Sequence, residues 1–124
     1  MTFARYVFAI AGGLGLFILL PMYFLEGTIA LRFPPANNHP EHYYAFIGVA
    51  AAFQFVYLTI ARDPVRFRPI MPWGAVGKLS FVVSSHVLWL EGRAGFAQAA
   101  ATWLDAILAM LFLVAWWQLR SDRR

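Results

Sequence analysis

Apolar residues run through this chain in long blocks and do not alternate with polar ones. Tyr6 to Leu25 is about 20 residues without a charge, Tyr43 to Ala61 is about 19, and Leu79 to Leu90 carries none. The last block, Ala94 to Leu119, contains one acid, Asp105. An apolar block of about 20 residues, wound as a helix rising about 1.5 Å each, crosses a hydrocarbon layer of about 30 Å. The pattern predicts an all-α polytopic membrane protein, a four-transmembrane-helix antiparallel bundle forming a single domain over residues 1–124. The spans fall at about 6–25, 43–61, 73–90 and 96–119. The first block exceeds the roughly 7 to 15 apolar residues of a secretory leader, so it is read as a span.

The breaks between blocks read as turns. In "ARDPVRFRPIMPWG", Asp63 is placed to cap a short helix beginning at Pro64, because proline lacks only an N–H that would be unpaired there. Pro69 should stop that helix and Pro72 should start the third span. "EGRAG" predicts a tight connection between antiparallel spans three and four. Pro21 should bend span one near its end. Ala11 with Gly15, Gly48 with Ala52, and the stripe Ala97, Ala101, Asp105, Ala109 are small-residue spacings that let helices approach closely in lipid.

Composition agrees with the pattern. Of the residues, 61% are hydrophobic and 13% charged, against about a quarter charged in a soluble domain; mean hydropathy is +0.62. With no cysteine, disulfides, thiolate metal sites and thiol catalysis are excluded. The net charge of +4 is a matter of placement. Arg5, Arg62, Arg66, Arg68, Lys78, Arg120, Arg123 and Arg124 fall on one side of the predicted spans, and only Arg32 and Arg93 on the other. That asymmetry predicts both termini in the cytoplasm and an inner-membrane location. It gives no reason to expect a nucleic-acid partner. Arg62, Arg66 and Arg68 are then expected at lipid headgroups, where each attracts anionic lipid by about 1 kcal/mol.

The segment "YAFIGVAAAFQFVYLTIARDPVRFRP", with the "GK" after it, resembles small uncharacterised four-span bacterial membrane proteins. The likeness is clearest from about Tyr43 to Val83. A more distant similarity to DoxX-type four-span proteins rests on size and span number. Both imply the fold; neither supplies a catalytic residue.

Polar groups inside spans are costly and tend to face the bundle interior or a wet cavity. Counting helical rise from the cytoplasmic ends puts Lys78 at about 7 Å depth, Gln54 at about 12 Å, and His86 and Asp105 at about 20 Å. His86 and Asp105 are therefore expected to pair across neighbouring helices, with Gln98 two turns from Asp105 and Lys78 reaching back to the headgroups. The pair would be structural glue, a proton relay through Lys78, Gln54, Asp105 and His86, or part of an enclosed ligand site. Ser84 and Ser85 are expected to bond carbonyls of their own helix. The stretch "NNHPEHYY" holds His39, Glu41 and His42, residue types suited to zinc, copper, iron or haem. It reads better as a helix entry, with Pro40 in the first turn, Asn38 or His39 as cap and Glu41 facing the positive helix end.

No G-x-S-x-G, phosphate loop or paired aspartates occur. The expectation is a non-enzymatic membrane module without a cofactor, packing in the bilayer with itself, a larger complex or a lipid-like ligand. The alternatives are a proton-coupled small-solute carrier using Asp105 and His86, or a redox subunit binding haem or quinone at the outer histidines.

Overall fold

The computed structural model describes residues 2–25, 28 and 40–119, and every regular element among them is helical. The elements are α1 (Thr2–Met22), α2 (Pro40–Arg62), a single 3-10 turn (Arg68–Ile70), α3 (Met71–Leu90), α4 (Phe96–Ala101) and α5 (Trp103–Gln118). Three stretches are long and apolar enough to cross a membrane: Thr2–Met22, Glu41–Arg62 and Phe96–Gln118. α3 is nearly as long, but Lys78, three serines and His86 keep it out of that group. His39, most of the connection expected between spans one and two, and the basic tail from Arg120 lie outside the described residues.

The ends follow local chemistry. α2 begins at Pro40 with Glu41 in its first turn, as the helix-entry reading expected. Tyr43 ties this end to α1 by donating to the Met22 carbonyl at 2.6 Å, and Tyr44 stacks on Tyr23. α1 stops short of Leu25. Pro21 sits in its last turn, and the chain tightens there into bonds from Tyr23 N–H to Leu20 O and from Phe24 N–H to Pro21 O. Asp63 accepts the Arg66 N–H at 3.3 Å, as a capping carboxylate would. Residues 64–67 nevertheless form a turn and not a helix, so Pro69 opens the 3-10 turn where it was expected to stop a helix. Pro72 falls in the first turn of α3 as expected. Gly92, at φ +75°, closes α3: its N–H reaches Trp89 O while Arg93 N–H reaches Leu88 O, a left-handed cap suited to glycine.

The last block is not one continuous helix. Thr102 interrupts it: its N–H bonds Ala99 O at 3.1 Å and its hydroxyl donates to the same carbonyl at 2.7 Å. The ladder resumes with Ala106 N–H on Thr102 O. A side chain competing for a backbone carbonyl is a recognised cause of such a break.

α1 packs along α2, and α3 packs along α5; α1 also meets α5, whereas α2 and α3 approach each other only sparsely. Phe8, Tyr57 and Phe112 join α1, α2 and α5 in one ring cluster, with Phe8 and Phe112 stacked at 4.2 Å. Gly74 leaves α3 room to lie against it, since a Cβ there would meet Tyr57 at 3.0 Å and Phe112 at 3.3 Å. Arg68 corrects an expectation. It is not a headgroup residue: it is buried, its guanidinium lies 4.7 Å over the Trp116 ring, and its Nε–H donates to Trp116 O at 2.8 Å. A cation there meets carbonyls of the last turn of α5, at the negative end of the helix dipole.

The α1–α2 seam depends on Gly12 and Gly15. A Cβ on Gly12 would lie 2.7 Å from the Gln54 carbonyl oxygen, which is backbone, while one on Gly15 would run into the Gln54 side chain. Gly12→Ala must therefore separate two helices, and a loss of about 1 to 3 kcal/mol is expected from overpacking. Gly15→Ala asks only a side chain to move and should cost less. Thermal melts of both variants in mild detergent check the order; equal losses would mean the seam adjusts freely.

Candidate ligand cavity and its polar floor

The loose α2–α3 seam leaves a cleft of about 1010 Å³, open on one side and lined by residues from every helix, at the upper end of the roughly 300 to 1000 Å³ usual for small-molecule sites. Its walls are mainly apolar: Leu19 and Met22 from α1, Phe46, Val49 and Phe53 from α2, and Phe81 from α3. Phe46 and Phe81 face each other across the seam with ring centroids 5.5 Å apart. Glu41 and His42 sit at one end, and Gln54, Tyr57, Lys78 and Asp105 at the other. From Glu41 to Tyr57 the α2 wall rises about 24 Å.

The polar end is built around an ion pair. Lys78 Nζ donates to Asp105 Oδ1 at 2.9 Å, with the lysine side chain 10% exposed and the aspartate 28%. The ammonium also lies 5.4 Å from the Tyr57 ring centroid and 5.9 Å from that of Phe112, within cation–π range. Asp105 belongs to the first turn of α5, just after the Thr102 break, where a helix start favours negative charge.

The expected Asp105–His86 pair is therefore corrected, as is the expectation that Lys78 withdraws to the headgroups. His86 is occupied elsewhere: Nδ1 lies 2.8 Å from Val82 O, and Nε2 is 3.1 Å from Trp103 Nε1. Indole N–H can only donate, so Nε2 accepts and the neutral ring carries its proton on Nδ1, an assignment made from the partners. The predicted relay is interrupted at both ends. Gln54 donates to Ala50 O in its own helix, and its Oε1, which has no hydrogen-bond partner among the described residues, lies over Gly15. Gln98 donates to Ser85 Oγ at 3.3 Å, holding α4 to α3. Ser84 bonds Ser80 O within its helix as expected, whereas Ser85 serves Gln98.

The outer-histidine metal reading includes His39, which lies outside the described residues. Among the described residues no group of three His, Cys, Asp or Glu is placed to hold a metal. His42 and Glu41 are exposed neighbours, 3.8 Å apart, and His86 is bonded to Trp103. At the opposite end, Arg62 and Arg66 line a small hollow shared with Thr59, Asp63 and Phe67.

Depth counting missed the Lys78–Asp105 pair for a definite reason. It set Trp73 level with Gln118, which would place Gly74 beside Trp117. Gly74 instead packs on Phe112, an offset of five residues or about 7 Å. The reach of a lysine stem covers the rest. The Trp103–His86 bond carried no signal in spacing; only the donor-only chemistry of a mid-span indole hinted that Trp103 needed an acceptor. No family model, curated protein or solved structure matches the chain.

Proposed function

We propose that the chain is a non-enzymatic four-span module of a bacterial inner membrane, both termini cytoplasmic, that holds a lipid-like ligand between α2 and α3. In this reading α3 is the fourth spanning column beside α1, α2 and the α4–α5 pair. Its length of 20 residues suffices for about 30 Å. Lys78, Ser85 and His86 turn to partners on α4 and α5, and Ser84 to a carbonyl of its own helix, which makes such a span tolerable. The eight-to-two placement of basic residues supports the orientation. The resemblance of Tyr43 to Val83 to small four-span bacterial proteins belongs to the same proposal, and Arg62 and Arg66 remain its headgroup contacts.

The observation that carries the reading is the cavity: large, apolar along its walls, polar at its floor, and bounded by the sparsely packed α2–α3 seam. Solvent-filled space of that character would be costly inside a bilayer, and an apolar molecule fills it naturally.

Gly77 lines the cavity, and nothing lies within 4 Å of where its Cβ would be. Gly77→Phe should therefore fill the space without disturbing a helix contact. Native mass spectrometry from mild detergent should show a lipid-sized adduct on the wild-type chain that Gly77→Phe loses. A wild-type chain free of adducts in lipid-replete preparations would count against the ligand. Reporters fused after Arg124 test the topology: a cytoplasmic reporter should be active and a periplasmic one silent.

A further inference from the structure

We infer that the ligand is a neutral amphiphile whose head donates a hydrogen bond, a lipidic alcohol, seated with its hydroxyl on Asp105. The inference rests on the reading of the cavity as a lipid-like ligand site and specifies the chemistry of its floor. Asp105 lines the cavity with its side chain 28% exposed, and among the described residues only its Oδ1 has a partner. Oδ2 is therefore an open acceptor at the base of an apolar chamber. An ionised carboxylate offers acceptors and no donor.

Features of the same floor disfavour other heads. Lys78 and Asp105 neutralise one another at 2.9 Å, so a ligand carrying net charge would bring an unbalanced charge into a poorly solvated site. An anionic head would have to share the ammonium with Asp105 and lie against its carboxylate, which repels it. That ammonium is nearly enclosed, 10% exposed and packed over the Tyr57 and Phe112 rings, and offers little surface to a second acceptor. At Asp105 an ester or ether head, with acceptors only, would set oxygen against oxygen, and its one route to a donor on this floor would be the Tyr57 hydroxyl. A hydroxyl is small, neutral and a donor, and a bond to an ionised acceptor is among the stronger ones. The body of such a molecule would lie along Phe53 and Val49 toward the Phe46–Phe81 pair, within the roughly 24 Å of the α2 wall.

The test uses the full chain in mild detergent and three photoreactive probes sharing one diazirine-bearing hexadecyl chain: the alcohol, its methyl ether and the carboxylate. Labelling is titrated and mapped by peptide mass spectrometry. The alcohol is expected to label α2 and α3 cavity peptides at about tenfold lower concentration than the ether, with the carboxylate no better than the ether. In the double variant Lys78→Met/Asp105→Leu, which removes both charges together, the alcohol should fall to the level of the ether and the ether should be unchanged. Gly77→Phe should abolish labelling by all three.

The failures are distinguishable. If all three probes label the cavity equally, or the double variant keeps the preference for the alcohol, the hydroxyl assignment is overturned while the cavity stands as a lipid site. Tightest labelling by the carboxylate would instead make Lys78 the head-binding group. If no probe labels the cavity peptides in a way that Gly77→Phe suppresses, the ligand reading fails and the inference fails with it.

Discussion

Asp105→Leu is expected to destabilise the protein by about 3 to 5 kcal/mol, the cost of stranding a buried cation. Lys78 is only 10% exposed and donates to Asp105 Oδ1 at 2.9 Å. Without that carboxylate its ammonium keeps the Tyr57 and Phe112 rings and no counter-charge. The loss will lie at the lower end if the lysine stem swings its charge toward the near end of the bundle. Asp105→Asn should fall between leucine and wild type, because the amide oxygen still accepts the bond but leaves the charge unbalanced. Lys78→Met/Asp105→Leu should return to within about 1 kcal/mol of wild type, since replacing both members of a buried pair by apolar groups is often neutral. Chemical denaturation of wild type, both single leucine and methionine variants and the double variant in one detergent gives the coupling directly. Strict additivity of the two single changes would show that the pair is not energetically joined.

The broad features of this fold were legible because they depend on runs of residues. Apolar blocks of about 20 residues predicted helices, and α1, α2 and the α4–α5 stretch are long and apolar enough to span a membrane. Pro40, Pro72 and Gly92 marked an entry, a start and a reversal, each by a backbone property that neighbours cannot change. The break at Thr102 was not legible. It depends on a hydroxyl choosing the Ala99 carbonyl over solvent or a rotamer pointing elsewhere, and threonine occurs in many unbroken helices.

Four of the five polar candidates, Lys78, Gln54, Gln98 and Asp105, line the cavity, and His86 does not. Which of them touch depends on axial register between helices, and interface residues fix register only to about a turn. An offset of about 7 Å was enough to exchange His86 for Lys78 as the partner of Asp105. Arg68 shows the same limit. Three arginines in one short stretch looked alike in sequence, yet the register of α5 presents the Trp116 carbonyl to Arg68, which is buried, while Arg62 and Arg66 border the hollow at that end. The pairing in turn narrows the chemistry: an Asp105–His86 pair would have set two titrating groups side by side, whereas Asp105 held by an ammonium offers a fixed acceptor to whatever fills the cavity.

Phe112→Ala is expected to cost about 3 kcal/mol and to loosen the cavity floor as well. Phe112 is 0% exposed; it stacks on Phe8 at 4.2 Å and meets Tyr57 at 4.9 Å, so it joins α1, α2 and α5 at one point. Between helices in lipid the hydrophobic drive is weak and packing supplies the attraction. Truncating a ring then costs mainly its lost contacts and the space left behind, at about 24 cal/mol per Å³ of unfilled volume. Because the Lys78 ammonium lies 5.9 Å from the same ring, the variant also loses part of what holds the lysine over the floor. Phe112→Leu should recover most of the packing and none of the cation–π contact. Comparing the two separates the contributions: leucine should restore the thermal midpoint nearly to wild type while alanine does not. If alanine lowers it by no more than leucine, the ring cluster is not the joint between these helices, and the packing argument for the floor of the cavity falls with it.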